Sequence, residues 1–272
     1  MANMQNFFND DLLAKFFSSA PIGCSVTQRI KQVKQPRGGY IKPSSLTVTT
    51  LDDSLLNPHE TVSPQLVGLV VDYLTRYMTG SPAEDVFSVS LMGADRINES
   101  EKALNLLHNI NGLDDISILN AVQLSNYDIC YRAGASMYTS LSTSSLPDSD
   151  TAENIRIMVT RSINFLEKYG PKVLDGFTFE GGYTDTISTG DGDFLTSDTL
   201  WDFKVSKNKP TSQHTLQILV YWRMGLHSIH PEFKNISYLG IFNPRLNIVY
   251  RIATDSIPSE IIHTVETEVI GY

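Results

Sequence analysis

The first half of the chain repeats its apolar residues three and four apart, and the second half alternates them. The first period gathers side chains on one stripe of a helix, the second on one face of a strand. Ser63-Pro64 opens a helix with proline at its first position. Val67, Val70, Val71, Leu74 and Tyr77 share its stripe, and Gly80 ends it after about Thr79. Ser81-Pro82 starts a second helix, AEDVFSVSLMGA, and EKALNLLHNI forms a third that ends near Gly112. ISILNAVQLSNYDICYRAGASMY, residues 116–138, reads as one further helix. In it Asp128 and Arg132 stand four apart with the acid first, and they read as a structural pair. Near the N-terminus, Asn9 or Asp10 is placed to cap a short helix, DDLLAKFFSS, ended before Pro21.

Residues 139–152, TSLSTSSLPDSDTA, break the pattern: Ser/Thr-rich, with Pro147 and no apolar period. They read as a surface loop dividing a mainly helical region, residues 1–150, from an α/β core, residues 151–272. Asp150 or Thr151 is expected to cap the next helix, AENIRIMVTRSINFLEKY, which Gly170-Pro171 ends. After it FTFE and YTDTIST alternate about Gly181-Gly182 and predict a β-hairpin. DFLT and LWDFKVS predict a second pair about Ser197-Asp198. A helix over about Ser212–Leu226, strands YLGIFNP and NIVYRIA, and a final helix SEIIHTVETEV complete an α/β fold with a mixed sheet.

Composition narrows the class. Of 272 residues 41% are hydrophobic, which fits a folded globular chain. No stretch resembles a signal peptide or approaches the ~20 apolar residues of a membrane span. SPQLVGLVVDYL is the most apolar segment, and Asp72 interrupts it. The two cysteines, Cys24 and Cys130, have no zinc spacing and read as reduced thiols of a cytoplasmic, soluble protein. The net charge of −9 argues against coating nucleic acid along its length. A nucleic-acid role would need a local basic patch or metal ions. One basic cluster exists: Arg29, Lys31, Lys34, Arg37 and Lys42, with Tyr40 beside Gly38-Gly39 for stacking. A plain solvated loop accounts for it equally well. Arg245 is a further candidate phosphate contact, or else a turn residue after Pro244.

The chemistry concentrates in GDGDFLTSDTLWDFKVSKNKPTSQHTLQILVY, residues 190–221. Asp202 and Lys204 are two apart and point to one face of their strand. A short turn brings Asp193 beside them, since paired strands set opposite side chains about 5 Å apart. Close carboxylates repel unless they share a proton or a cation. Hard oxygen donors suit Mg²⁺ or Mn²⁺, and the carbonyl of Phe203 is a further candidate ligand. The lysine can orient water or neutralise charge on a phosphorus centre. Gln217 and Tyr221 share a stripe with His214 on a helix apolar on nearly every other side. A polar stripe on so buried a helix needs partners, in the core or in a site.

GDGDF, LWDFKVSK and LQILVYW together resemble the PD-(D/E)XK nuclease superfamily, and within it the RecB-like branch, whose G-x-x-D, D-x-K and Q-x-x-x-Y elements come in this order. The resemblance spans about residues 151–250. It implies a restriction-endonuclease-like core and a metal-dependent DNA nuclease. Asp193 and Asp202 would be ligands of Mg²⁺ or Mn²⁺, Lys204 the catalytic lysine, and Gln217 and Tyr221 active-site helix residues. The branch often adds an upstream acidic or histidine ligand, for which Glu167, Glu180 and Glu153 are the candidates. The four cysteines of an iron–sulfur cluster are missing, so none is expected. Nor is there a P-loop for a nucleotide cofactor, so any helicase or defence partner would be a separate chain. The competing expectations are an inactive nuclease-fold module that binds nucleic acid or protein, and a nuclease acting on RNA.

Overall fold

The computed structural model describes residues 23–272, so the helix expected over DDLLAKFFSS lies outside the described residues. The strands are β1 (Cys24–Ser25), β2 (Thr47–Thr50), β3 (Leu174–Thr178), β4 (Ile187–Thr189), β5 (Asp191–Leu195), β6 (Thr199–Phe203), β7 (Tyr238–Asn243) and β8 (Ile248–Ala253). The α-helices are α1 (Val26–Gln32), α2 (Pro64–Met78), α3 (Ala83–Val86), α4 (Ser88–Asp95), α5 (Ser100–His108), α6 (Asp115–Ser125), α7 (Asp128–Arg132), α8 (Ser149–Tyr169), α9 (Ser212–His227) and α10 (Ser259–Thr264). A π-helical turn, Val265–Ile270, extends α10.

Six strands form one mixed sheet in the order β2-β8-β7-β6-β5-β3. Only β6 and β7 run parallel, which requires a crossover, and α9 supplies it. Alternation along β6 sends Leu200 toward α9 and Trp201 toward α8. On the α9 side Leu216, Leu219 and Val220 are fully buried against Leu195, Leu239 and Ile241. On the other side Phe165 of α8 stacks on Phe242 at 4.1 Å between ring centres and meets Trp201 edge-on at 4.7 Å. The α/β class and the mixed sheet flanked by helices follow the periodicity of the sequence.

Helices α2–α7 pack on a second core, where Val67, Val71 and Leu74 meet Ile118, Val122 and Met158. α8 belongs to both cores, with Ile155 and Met158 in the helical one and Phe165 against the sheet. Its cap is Asp148, whose side chain accepts from the Thr151 amide at 2.8 Å, two residues ahead of the expected cap.

Several elements differ from expectation. FTFE and YTDTIST do not form a hairpin. β3 pairs with β5, and β4 pairs in parallel with β1. The local turn closes through Gly182 N–H to the Phe179 carbonyl at 2.8 Å and Phe179 N–H to the Tyr183 hydroxyl at 3.2 Å. Residues 116–138 are two helices with a break at Asn126-Tyr127, where α4 packs onto the backbone. A Cβ added at Gly93 would lie 2.0 Å from the Tyr127 carbonyl oxygen. AEDVFSVSLMGA likewise splits at Phe87. The start of the basic cluster is helical, fixed by a capping box between Ser25 and Gln28. Finally, β2 pairs with β8, and Val26, Ile30 and Ile41 are buried in the core beneath α9. Residues 23–50 therefore pack with the α/β half, and the two halves of the chain interlock across residue 150.

Candidate active site

β5 and β6 are hydrogen-bonded at Phe194–Trp201 and Leu195–Leu200, and their pairing ends there. β6 stays in register with β7 through Asp202–Ile241 and Phe203–Phe242. The sheet therefore opens on one side of β6, at the level of Asp193 and Asp202. Asp193 bridges the opening: its Oδ2 accepts the Phe203 amide at 2.6 Å. Asp202 follows Leu200 by two residues and shares its face toward α9. It is 2% exposed. Its Oδ1 meets Lys204 Nζ at 2.9 Å, and its Oδ2 is buried with no hydrogen-bond partner. A buried carboxylate oxygen left without a donor is costly, and it leaves a place for a water, a proton or a cation.

The charges report one another's proximity. Desolvation, then the Asp202 charge, push the Asp193 carboxyl up to about 7, against the Phe203 amide and Lys204, which pull it down. Burial works to lower the Lys204 ammonium, but the Asp202 ion pair and the Asp193 and Asp191 charges outweigh it and raise it. Lys204 is therefore a firmly charged cation between carboxylates.

α9 brings the polar stripe to the same side. Gln217 Nε2 donates to Tyr221 Oη at 2.8 Å. The Tyr221 hydroxyl is raised by burial, against the Gln217 bond and with the Asp202, Asp191 and Asp193 charges. His214 has a local duty, since its Nδ1 accepts the Thr211 amide at 3.0 Å and caps the helix. Burial lowers its imidazole, opposed by Asp202 and aided by Lys204.

The other expected residues fare differently. Glu167 and Glu180 are exposed, and Glu153 is spent on an ion pair with Arg156. None of the three lines the cavity at Asp193. Two acidic residues from outside the stretch do line that cavity: Asp175 of β3, paired with Lys172, and Asp72 of α2, whose charge acts on Asp193. Burial raises the Asp72 carboxyl, against the Arg76 and Lys172 cations and with Asp175. Its sequence signal was an acid inside the most apolar helical stretch. Arg245 is buried and bonded to Glu60 at 2.7 Å, so it is a structural pair and not a phosphate contact. Arg29 donates to the Val269 and Glu268 carbonyls at 2.9 and 2.6 Å and anchors the C-terminal helix. Lys31, Lys34 and Arg37 are exposed. Tyr40 is half-buried, and its loop abuts α9, where a Cβ at Gly39 would lie 2.5 Å from Ser212.

A cavity of about 340 Å³ opens beside Asp193, between α2, α8 and the β3–β5 edge. Four carboxylates, Asp72, Asp175, Asp191 and Asp193, and two cations, Arg76 and Lys172, give it polar walls, and Phe165 and Phe203 apolar ones. Among the described residues no three His, Cys, Asp or Glu side chains converge as a ready-made metal cage. Asp193 and Asp202 at the strand opening are hard oxygen donors, and the carbonyl of Phe203, whose amide binds Asp193, is the further candidate ligand. That set fits Mg²⁺ or Mn²⁺, which take one or two carboxylates and complete their shells with water and substrate phosphate. No helix of the described residues is long and apolar enough to cross a membrane. No protein-family model, curated protein sequence or solved structure matches the chain.

Proposed function

We propose that this protein is a metal-dependent nuclease that hydrolyses phosphodiester bonds of DNA, built on a restriction-endonuclease-like core of the RecB-like kind. The observation that carries the reading is the Asp202 carboxylate: nearly wholly buried, with one oxygen on Lys204 and the other unpartnered, opposite Asp193 where the sheet parts. The orphaned Asp202 oxygen and a second carboxylate pushed up to about 7 beside it together support a site that takes up a cation or a proton.

Asp193, Asp202 and the Phe203 carbonyl are the groups that would hold Mg²⁺ or Mn²⁺. Such an ion, when bound, lowers the pKa of its water and offsets charge on the phosphate. Lys204 keeps its proton, donates to the attacking water or a phosphate oxygen, and stabilises the negative charge that grows there. Gln217 and Tyr221 fix each other on α9, where the Tyr221 hydroxyl feels the Asp202, Asp191 and Asp193 charges. Hydrolysis then joins water oxygen to phosphorus, breaks the P–O ester bond and protonates the departing oxygen.

The test is cleavage of linear, circular and single-stranded DNA in Mn²⁺ or EDTA by wild type, Lys204→Ala and Asp202→Ala. Metal-dependent cutting is expected in wild type, with a loss of at least about 100-fold in each variant, the scale for removing a charge-stabilising group. Binding without cutting in any metal would favour an inactive module, and preferential cutting of RNA would move the substrate class.

A further inference from the structure

His214 is the member of the α9 stripe to which the mechanism gives no part. β6 and β7 run parallel, so α9 returns antiparallel to both and sets its first turn at the end of β6 that carries Asp202 and Lys204. His214, Gln217 and Tyr221 follow at spacings of three and four, on one face of that helix. Tyr221 feels the Asp202, Asp191 and Asp193 charges, and His214 those of Asp202 and Lys204. The stripe therefore faces the charged end of the sheet along its length.

The capping bond fixes where the ring carries its proton. His214 Nδ1 accepts the Thr211 amide at 3.0 Å, so a neutral imidazole has its hydrogen on Nε2. Nε2 forms no hydrogen bond among the described residues, and Asp202 Oδ2 has no partner either, so this donor is not spent on that carboxylate. Burial and the Lys204 charge work against a second proton, opposed by Asp202, and the positive end of α9 acts with them. The ring is then neither acid nor base: one nitrogen is occupied, and loss of Nε2–H would leave an imidazolate. Nor is it a metal ligand, because neither nitrogen has a free lone pair. What remains is one N–H aimed from a half-buried ring, and its complement is an anionic oxygen.

We propose that His214 is a further catalytic residue, whose Nε2–H donates a hydrogen bond to an oxygen of the phosphate being cut, beside Lys204. The proposal rests on the nuclease reading of the Asp193–Asp202–Lys204 site. The bond tightens as negative charge grows on that oxygen, and no proton leaves the ring.

Wild type, His214→Asn, His214→Ala and Lys204→Ala are compared by cleavage of labelled linear DNA, duplex and single-stranded, in Mn²⁺, and by thermal melting. Asparagine sets an amide oxygen near the place of Nδ1 and nothing at the place of Nε2, so it keeps the cap and removes the donor. His214→Asn should melt within about 2 °C of wild type. It should still lose at least about tenfold in kcat with KM changed less than about threefold, the pattern of an interaction made in the transition state. His214→Ala should lose kcat alike and also melt lower for want of the cap, and His214→Asn carries the test if His214→Ala fails to fold. ¹⁵N spectra of wild type at pH 7 should show the Nε2–H tautomer, and a short oligodeoxynucleotide in Ca²⁺ should shift that resonance. His214→Asn cutting as fast as wild type, an Nδ1–H tautomer, or a resonance that ignores the oligonucleotide would each overturn the proposal. A shifted Nε2–H without cutting by wild type would sustain the His214 contact and sink the nuclease reading. Cutting lost in Lys204→Ala but kept in His214→Asn would do the reverse.

Discussion

At the scale of single residues the site turns on Asp193. Its carboxyl rises from about 3.8 to about 7 through desolvation and the neighbouring Asp202. Between those values the native chain holds a proton that the unfolded chain has released. Stability of the metal-free protein therefore falls as pH rises through that window and stays lowered above it. Water reaching Asp193 from the cavity reduces the effect without changing its sign. Asp193→Asn should accordingly melt at a higher temperature than wild type at pH 7.5 in EDTA, with the gap closing toward pH 4. Mn²⁺ should raise the wild-type midpoint more than the variant's, which keeps only the Asp202 carboxylate to bind it. Thermal scans at four pH values check both arms, and a variant less stable than wild type at pH 7.5 would show that Asp193 is not strained. Asp193, Asp202 and Lys204 were legible in sequence because their spacing is local. Arg29 and Arg245 were misread as phosphate contacts because their partners, at residues 268–269 and at Glu60, lie far away along the chain.

At the scale of elements, the parting of β5 from β6 makes the site, and the packing of β6 on β7 keeps it in place. Gly240 of β7 faces Trp201 so closely that an added Cβ would lie 2.2 Å from the indole ring. Trp201 is fully buried and touches Phe165, so the ring has nowhere to go. Gly240→Ala should therefore destabilise the fold by about 1–3 kcal/mol, the usual cost of overfilling a packed core. Urea unfolding measures it, and a loss below about 0.5 kcal/mol would mean that β7 shifts freely. Periodicity named most of these elements but not their partners. FTFE and YTDTIST alternate as a hairpin should, yet a strand's period is the same whichever neighbour it bonds. The choice of β5 for β3 and β1 for β4 is made by chain segments up to 165 residues away, as in the Ser188 Oγ bond to the Gly23 carbonyl. The break at Asn126-Tyr127 is equally non-local, because α4 presses on it from the side.

At the scale of the whole molecule, the helical and α/β halves are tied by buried polar links. Arg161 of α8 is 2% exposed and holds both oxygens of Asp52, at 2.9 and 3.0 Å, as well as the Pro244 carbonyl at 2.8 Å. Glu60 and Arg245 form a second link between the same parts. Residues 23–50 add β2 to the sheet and bury Val26, Ile30 and Ile41 in the core beneath α9. The fragment 151–272 alone lacks Asp52, Glu60 and residues 23–50 and should not unfold cooperatively, whereas residues 23–272 should. Circular dichroism melts of the two chains decide it, and a sharp transition in the short one would restore residue 150 as a true boundary.

The sequence by itself determined the α/β class, the helix that precedes β7, and the shared face of Asp202 and Lys204. These depend on periods of two and 3.6 residues and on spacings of a few positions, which are written locally. The tertiary structure alone decided that Asp72 and Arg76, from a helix more than a hundred residues earlier, stand at the opening beside Asp193. It also decided that Glu153, Glu167 and Glu180 do not. Which distant helix covers an open strand end is settled by the packing of two cores against each other, and no local pattern records it.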